Sequence, residues 1–179
     1  MSRSVHLTLE SESGPIDIDQ FTDGTQKDAT VYVRSFELLG RTGVDPKTGR
    51  PKGTREYTGV KLQKRLDKAS PALFELFANN TPFQATFEIG AADFTNSGSA
   101  GDILASITIG GGTQKNGFVS SYCLTVPDVE KPVEDNPDEP YEEIVFSFDS
   151  IEFKKIGSDF MGKSHTIIVK DSHTGSHKA

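Results

Sequence analysis

The sequence feature that most limits how this chain can fold is an alternation of apolar and polar residues with a period of two. It is clearest in residues 83–89, where four apolar residues alternate with Gln84, Thr86 and Glu88. Because successive side chains of a strand point to opposite faces of a sheet, this pattern predicts a strand that is buried on one face only. The chain is therefore predicted to be mainly β. Comparable runs occur at residues 5–9, 31–38, 103–109, 118–126, 144–153 and 166–170.

Only one segment has the pattern of a helix. Ser70 offers a hydroxyl for the N-cap, and Pro71 fits the first helical position, where its missing N–H group costs nothing. Asn79 and Asn80, placed before Pro82, predict the end of the helix, since Asn tolerates the left-handed conformation. A helix of about ten residues is marginal alone, so it must pack on a sheet or close the end of a barrel. Its apolar stripe is predicted to consist of Leu73, Phe74 and Phe77, with Leu76 at the edge.

Many strands and one helix predict a small antiparallel β-barrel of two packed sheets with one short α-helix. At 179 residues the chain is a single domain, residues 1–179, with its core at about 5–170 and a polar tail at 171–179. Two long loops are predicted at residues 40–54 and 127–140. In residues 144–153 the apolar positions change parity, which predicts a bulge near Asp149.

Composition and local pattern exclude several classes of protein. No window approaches the roughly 20 apolar residues of a membrane-spanning helix, and the single cysteine cannot form an intrachain disulfide. The first residues lack the apolar core of a secretory signal peptide, so the chain is expected to be made in the cytoplasm and not exported by such a signal. Cys123 lies in an alternating run and is predicted to be a small buried side chain. His6 falls on the polar face of the first strand and is predicted to be solvated.

The sequence offers no convergent set of catalytic residues, so neither enzymatic activity nor a cofactor is predicted. The Gly-rich run at residues 110–115 lacks the Gly-Lys-Ser/Thr ending of a phosphate-binding loop. His173 and His177 have the i, i+4 spacing of helical metal ligands, but the intervening Gly175 and Ser176 disfavour a helix. The carboxylates at residues 128–143 lack the D-x-D-x-D-G spacing of a calcium loop. No metal site is predicted.

The charges are segregated along the chain. Residues 128–143 contain eight acidic residues and Lys131, a balance of −7 that equals the net charge of the whole protein. Residues 41–68 contain nine basic and three acidic residues, a balance of +6. The net negative charge argues against a nucleic-acid binder. Two solvated loops would explain the segregation, and so would head-to-tail association, in which the basic surface of one copy meets the acidic surface of the next.

Four short motifs follow one another along the chain. They are TGRPKGTR at residues 48–55, LDKASPAL at 66–73, NGFVSSY at 116–122, and the strand at 142–154. In this order and spacing they resemble the haemolysin-coregulated protein (Hcp) family, the tube subunit of bacterial type VI secretion systems. Ala69 departs from the family pattern, which usually has a serine there. The resemblance covers about residues 5–155.

The resemblance implies a subunit that forms hexameric rings, which stack into a hollow tube. It also implies a contractile sheath around the tube, a spike at its tip, effectors in its lumen, and export through the machine itself without a signal peptide. A contact between subunits or rings is expected at the basic residues Arg41, Lys47, Arg50, Lys52 and Arg55. A contact with a partner is expected at the acidic residues Glu134, Asp135, Asp138 and Glu139.

Two other interpretations remain open from sequence. A tail-tube protein of a phage or of a phage-like injection particle has a related barrel and stacks in the same way. A monomeric ligand- or carbohydrate-binding β-barrel is less favoured, because such sites usually stack sugars on exposed aromatic rings. The chain has no Trp and only four Tyr.

Overall fold

The computed structural model describes residues 3–16, 31–91, 103–127, 139–158 and 164–172. These residues form eleven strands and one helix, α1 (Ser70–Ala78). At nine residues α1 is far too short to cross a bilayer, and the described residues contain no other helix. The strands are β1 (Arg3–Ser11), β2 (Gly14–Pro15), β3 (Val31–Val33), β4 (Ser35–Val44), β5 (Pro51–Arg65), β6 (Gln84–Ala91), β7 (Ile103–Ile109), β8 (Gly117–Thr125), β9 (Tyr141–Phe148), β10 (Ser150–Ser158) and β11 (Ser164–Ser172).

The strands pair antiparallel and build two sheets. The larger sheet has seven strands in the order β11-β10-β7-β6-β1-β2, with β3 also pairing with β1. The smaller sheet has four strands in the order β4-β5-β9-β8. The prediction of a mainly β fold with two packed sheets and one short helix is confirmed. In the described part of the chain the two sheets stay separate and do not close into one barrel.

The core lies between the two sheets and is rich in phenylalanine. Phe87 of the larger sheet packs against Phe36 and Phe146 of the smaller sheet, with ring centroids 4.8 and 6.0 Å apart. Phe83, which directly precedes β6, meets Phe146 edge-on at 5.2 Å. Phe83, Phe87 and Phe146 are completely buried, and burial of each such ring stabilises the fold by about 1.5–3 kcal/mol. These contacts hold the two layers together.

The chain crosses from one sheet to the other at Asp149, between β9 and β10. Ile144 and Phe146 are buried on β9 of the smaller sheet, and Ile151 is buried on β10 of the larger sheet. The core lies between the two sheets, so it is on one face of β9 and on the opposite face of the chain as it continues into β10. The buried positions therefore change from even to odd residue numbers where the chain passes from one sheet to the other. The prediction of a bulge near Asp149 is therefore wrong. The change of parity does occur at this position, but it marks the passage of the chain between the sheets.

The alternation in β8 is broken by an irregularity between Val119 and Ser121, where the register against β9 shifts. One extra residue in a strand reverses the faces of all the residues that follow it. Cys123 is thereby separated from the buried face that holds Val119, and its side chain is exposed. The prediction of a small buried thiol is wrong for this reason.

Helix α1 begins at Ser70, one residue before the predicted first position at Pro71, so Ser70 is not its cap. Ala69 holds the N-cap position, and no side chain caps the helix there. The Ser70 hydroxyl instead accepts hydrogen bonds from the backbone N–H of Asp67 and from Nζ of Lys64, both at 3.0 Å. The start of the helix is therefore held by tertiary contacts and not by a local cap.

The buried face of α1 is rotated from the predicted stripe. Leu73 and Leu76 are buried, whereas Phe74 remains half exposed. The helix ends as its asparagines predict, because Asn80 takes the left-handed conformation with φ of 49°. The exposure of Phe74 leaves an aromatic ring at the surface beside β8.

His6 is buried, contrary to the prediction that it is solvated. It is 5% exposed and lies on β1 between Tyr32 of β3 and Glu88 of β6. The sequence pattern identifies the polar face of a strand, but it does not show that the strand has neighbours on both sides. Burial lowers the pKa of His6 below its usual value.

His6 is expected to make the fold less stable in mild acid. Because its pKa is lower in the folded chain than in the unfolded chain, the unfolded state binds the proton first as the pH falls below about 6.5. The free energy of unfolding should decrease between about pH 7.5 and pH 5, and His6→Gln should lose part of that decrease. Urea unfolding at both pH values measures the difference. An identical pH dependence in the two proteins would contradict this role of His6.

Candidate assembly surface

Strands β4 and β5 extend beyond the smaller sheet as a two-stranded arm, which we define as residues 40–57. The two strands stay paired from Gly40↔Tyr57 to Val44↔Pro51, whereas β9 pairs only with the inner part of β5. Side chains along the outer part of the arm are exposed. The arm is therefore supported by its own ladder and projects from one end of the sheet.

The turn at the tip of the arm is organised by Asp45. Its Oδ1 accepts hydrogen bonds from the backbone N–H groups of Lys47 and Thr48, at 2.8 and 3.3 Å. Its own backbone N–H donates to the carbonyl of Arg50 at 2.9 Å. Gly49 supplies the left-handed residue of the turn, with φ of 66°. The tip is thus an ordered turn.

The predicted loop at residues 40–54 is wrong outside this turn. Gly and Pro have low strand propensity, but the facing backbone groups still pair. Five predicted contact residues belong to the arm, and against Asp45 and Glu56 they leave a charge of +3. Four of them are exposed at the surface: Arg41, Lys47, Arg50 and Lys52. The fifth, Arg55, lies on β5 within the arm.

The acidic residues predicted to contact a partner are only partly described. Glu134, Asp135 and Asp138 lie outside the described residues. Glu139 is exposed, and its Oε2 lies 2.7 Å from Nε of Arg65 in the same chain. One acid of the acidic stretch therefore pairs with one cation of the basic stretch inside the subunit.

Strands β5 and β9 form two further ion pairs. Nζ of Lys61 lies 2.8 Å from Oε1 of Glu143 on the outer face of the smaller sheet, and the hydrogen bond between them raises the pKa of Lys61. Nζ of Lys64 lies 2.7 Å from Oε2 of Glu142. Lys61, Lys64 and Arg65 of the basic stretch are thus paired within the chain, so most of the remaining positive charge of that stretch lies in the arm.

Lys64 and Glu142 are completely buried and form the centre of a polar cluster. Besides binding Glu142, Nζ of Lys64 donates to the hydroxyl of Ser70 at 3.0 Å and lies 2.8 Å from Oδ1 of Asp67. The hydroxyl of Tyr122 donates to the other carboxylate oxygen of Glu142. Burial, together with this hydrogen bond, raises the pKa of Tyr122. The cluster joins β5, β9, β8 and the start of α1.

From sequence, Lys64 and Glu142 belong to charged stretches that are expected to be exposed, and β5 is not predicted as a strand. A signal was nevertheless present. Lys64 continues the alternation of the buried residues Val60 and Leu62, and Glu142 continues that of Ile144. A charged residue on each of two apolar strand faces indicates a buried ion pair, because an isolated buried charge is too costly.

Breaking the buried pair is expected to destabilise the fold strongly. Lys64→Met leaves the Glu142 carboxylate buried without its counter-ion, and such a change costs about 3–5 kcal/mol. Urea unfolding should show a loss of this size in Lys64→Met. The double variant Lys64→Met, Glu142→Leu should regain most of it, because both charges are then absent. A single variant as stable as the wild type would contradict the structural role of the cluster.

Strand β8 is a free edge of the smaller sheet. It pairs with β9 and, apart from one bridge between Gly117 and Phe83, with no other described strand. It contains neither a charged residue nor a proline, and Phe118 and Leu124 are 37% and 47% exposed. Proteins normally protect such an edge with charge or proline. The strand is therefore suited to pairing with another chain.

Strand β4 is the opposite edge of the same sheet. Among the described strands it pairs only with β5, and it exposes the side chain of Leu39. Among the described strands neither edge of the four-stranded sheet is paired, and α1 packs beside β8 through Phe74 and Tyr122. In contrast, the residues that the structure describes contain no group of three or more His, Cys, Asp or Glu side chains positioned to hold a metal ion.

Comparison with known proteins identifies the family. The sequence matches the family model described as "Type VI secretion system effector, Hcp" over residues 19–154, whereas no curated protein matches it in sequence. The structure is similar to Hcp1 from the E. coli EAEC 042 pathovar, with a TM-score of 0.65, 18% identity, and coverage of 94% of this chain and 97% of that one.

Two further solved structures have the same fold. One is described as a type six secretion system protein, with a TM-score of 0.68, 17% identity and coverage of 96% of both chains. The other is the secreted protein Hcp3 from Pseudomonas aeruginosa, with a TM-score of 0.57, 13% identity, and coverage of 96% of this chain and 99% of that one. The structural matches establish the fold, and the family model spans most of the sequence. The chain belongs to the Hcp family of type VI secretion system effectors.

Proposed function

We propose that this protein is a structural subunit of the type VI secretion tube, in which hexameric rings stack into a hollow tube. The observation that carries the proposal is the four-stranded sheet with two free edges, β4 and the uncharged β8. Pairing of β8 in one copy with β4 in the next is a heterologous contact. A repeated heterologous contact closes into a ring when a whole number of the rotations that relate neighbouring copies makes a full turn.

The difference in width between the two sheets supports a ring with the smaller sheet inside. The larger sheet is six strands across, because β2 and β3 both pair with β1 on the side away from β6. Six strands are wider than four, so each subunit is a wedge whose narrow side carries the smaller sheet. Six copies of four strands, at ~4.8 Å per strand, give a circumference of about 115 Å and a channel about 35 Å across between backbones. The face that would line this channel carries the ion pair of Lys61 and Glu143.

The position, order and charge of the arm suit a contact between stacked rings. It projects from one end of the sheet, ends in an ordered turn and carries a charge of +3. Its cations Arg41, Lys47, Arg50, Lys52 and Arg55 are the proposed contact residues. The acidic residues Glu134, Asp135, Asp138 and Glu139 are proposed to face a partner, and attraction between exposed charges of this kind weakens as the salt concentration rises.

Family membership extends the proposal to the partners and the route of the tube. The partners are a contractile sheath, a spike protein and effectors carried in the lumen. The subunit assembles in the cytoplasm and leaves through the machine without a signal peptide. Its role is structural, with no catalytic step and no cofactor. The family match favours this function over a phage tail tube, and the free edges favour it over a monomeric ligand-binding barrel.

A charge placed on the free edge is expected to prevent ring formation. Phe118→Lys puts an ammonium group on β8, and a lysine on an edge strand is one of the devices by which proteins keep such an edge from pairing. In sedimentation experiments the wild type should be a hexamer and the variant a monomer with an unchanged urea midpoint. The matched control is Leu104→Lys, since Leu104 is exposed on β7, which has neighbours on both sides. A hexameric Phe118→Lys protein, or a wild type that stays monomeric at high concentration, would refute the proposed ring contact.

Shortening the arm is expected to weaken the stacking of rings and leave each ring intact. Residues 42–52 can be replaced by Asn-Gly, which leaves a five-residue connection between the paired residues Arg41 and Glu56. The deleted segment pairs only with itself among the described residues, so folding should be preserved. Electron microscopy should show single rings where the wild type forms tubes. Tubes of wild-type length would exclude the arm from the stacking contact.

A further inference from the structure

We infer that the arm of one copy docks on an apolar patch at the opposite end of the smaller sheet in a second copy. The inference rests on the proposed function, because it requires that copies of this chain assemble. It adds the surface that receives the arm, which consists of side chains on α1, on β8 and beside them. We call this surface the end patch and define it as Leu66, Phe74, Tyr122, Leu124 and Val126.

The end patch surrounds the end of the smaller sheet that is remote from the arm. Through the register of β8, β9 and β5, Leu124 lies level with Lys64 near the end of β5. The backbone N–H of Leu66 donates to the carbonyl of Pro140 at 3.2 Å, which places Leu66 at the same end. Val126 directly follows β8 there.

The end patch combines exposure with rigidity. Phe74 and Val126 are each 50% exposed, and Leu66 and Leu124 are also exposed. The ring of Phe74 packs edge-on against Tyr122 with centroids 5.2 Å apart, and Tyr122 is fixed by its hydrogen bond to the buried Glu142. Exposed apolar groups in one place mark interaction surfaces, and fixed side chains lose little entropy when a partner binds.

The arm cannot reach the end patch of its own chain. Lys52 in the arm and Lys64 beside the patch lie on the same strand, about 40 Å apart at ~3.3 Å per residue. A second copy displaced along the strand direction brings its arm to this position. The occupant is therefore a second copy, and repetition of the contact produces a stack and not a closed pair.

The chemistry of the arm matches that of the patch. The arm exposes Val44 (58% exposed), beside its cations. On the receiving side, Glu75 is the only charged residue of α1, and the last turn of the helix has no basic residue. Pro127 and Glu139, which flank residues 128–138 of the acidic stretch, also lie at this end, close in sequence to the paired residues Thr125 and Tyr141. Residues 128–138 contain five acidic residues and one lysine, whereas the described part of this end adds the exposed cation Lys68 besides the paired Arg65. An apolar and basic arm thus meets an apolar surface at the end of the sheet where an acidic segment leaves and returns.

Cross-linking tests the contact directly. In a Cys123→Ser background, Val44→Cys marks the arm and Val126→Cys marks the end patch. A bifunctional maleimide should link the double-cysteine protein into a ladder of multimers on a denaturing gel. Neither single-cysteine protein should form the ladder. The matched control pairs Val44→Cys with Glu12→Cys, which is exposed at the turn between β1 and β2 of the larger sheet, and it should stay monomeric on the gel.

Phe74→Ala gives a second measurement that does not depend on cysteines. It should raise the protein concentration at which tubes form by about tenfold, since a buried aromatic anchor commonly contributes that much to an interface. Leu104→Ala, a similar truncation on the larger sheet, should leave that concentration unchanged.

The outcomes separate this inference from the proposed function. Hexameric rings without a ladder and with unaffected tubes in Phe74→Ala would overturn the inference and leave the ring intact. A ladder from a protein that never forms rings would support the arm contact and contradict the hexamer. A monomer that does not cross-link would overturn both.

Discussion

The buried ion pair between Lys64 and Glu142 is the interaction on which the rest of this structure depends. Two charges without water are tolerated only when their remaining hydrogen-bonding capacity is met, and here Ser70, Asp67 and Tyr122 meet it. Through these contacts the pair fixes β5 against β9, aligns the edge strand β8 and holds the start of α1. The surfaces proposed for assembly are therefore positioned by a polar cluster inside the subunit.

Strand β5 connects that cluster to the arm. Its inner half lies between β4 and β9, and its outer half leaves the sheet as one side of the arm. The same strand thus carries the buried Lys64 at one end and the exposed Lys52 at the other. A rigid connection of this kind gives each copy an arm and a receiving end at a fixed separation, which is the geometry that a regular stack requires.

The sequence predicts the fold class well because burial between two sheets imposes the alternation that is visible in residues 83–89. The order of the four short motifs along the chain indicates the family. The arrangement of the assembly surface is less predictable, for three physical reasons. The extra residue near Ser120 does not change the hydropathy pattern, so the sequence does not indicate that the side chain of Cys123 is exposed. A charged residue is normally assigned to the surface, so the burial of Lys64 is not predicted. Segments rich in Gly and Pro are normally predicted as loops, so the two paired strands of the arm are not predicted.

In the proposed assembly, the free edges of the smaller sheet join copies of this chain into a closed ring. Negative-stain electron microscopy of the purified protein tests it most directly, because the shape of the assembly is seen without any assumption about the contact. We expect six-fold rings with an open centre, which associate into tubes at higher concentration. A field of isolated compact monomers at every concentration would contradict it.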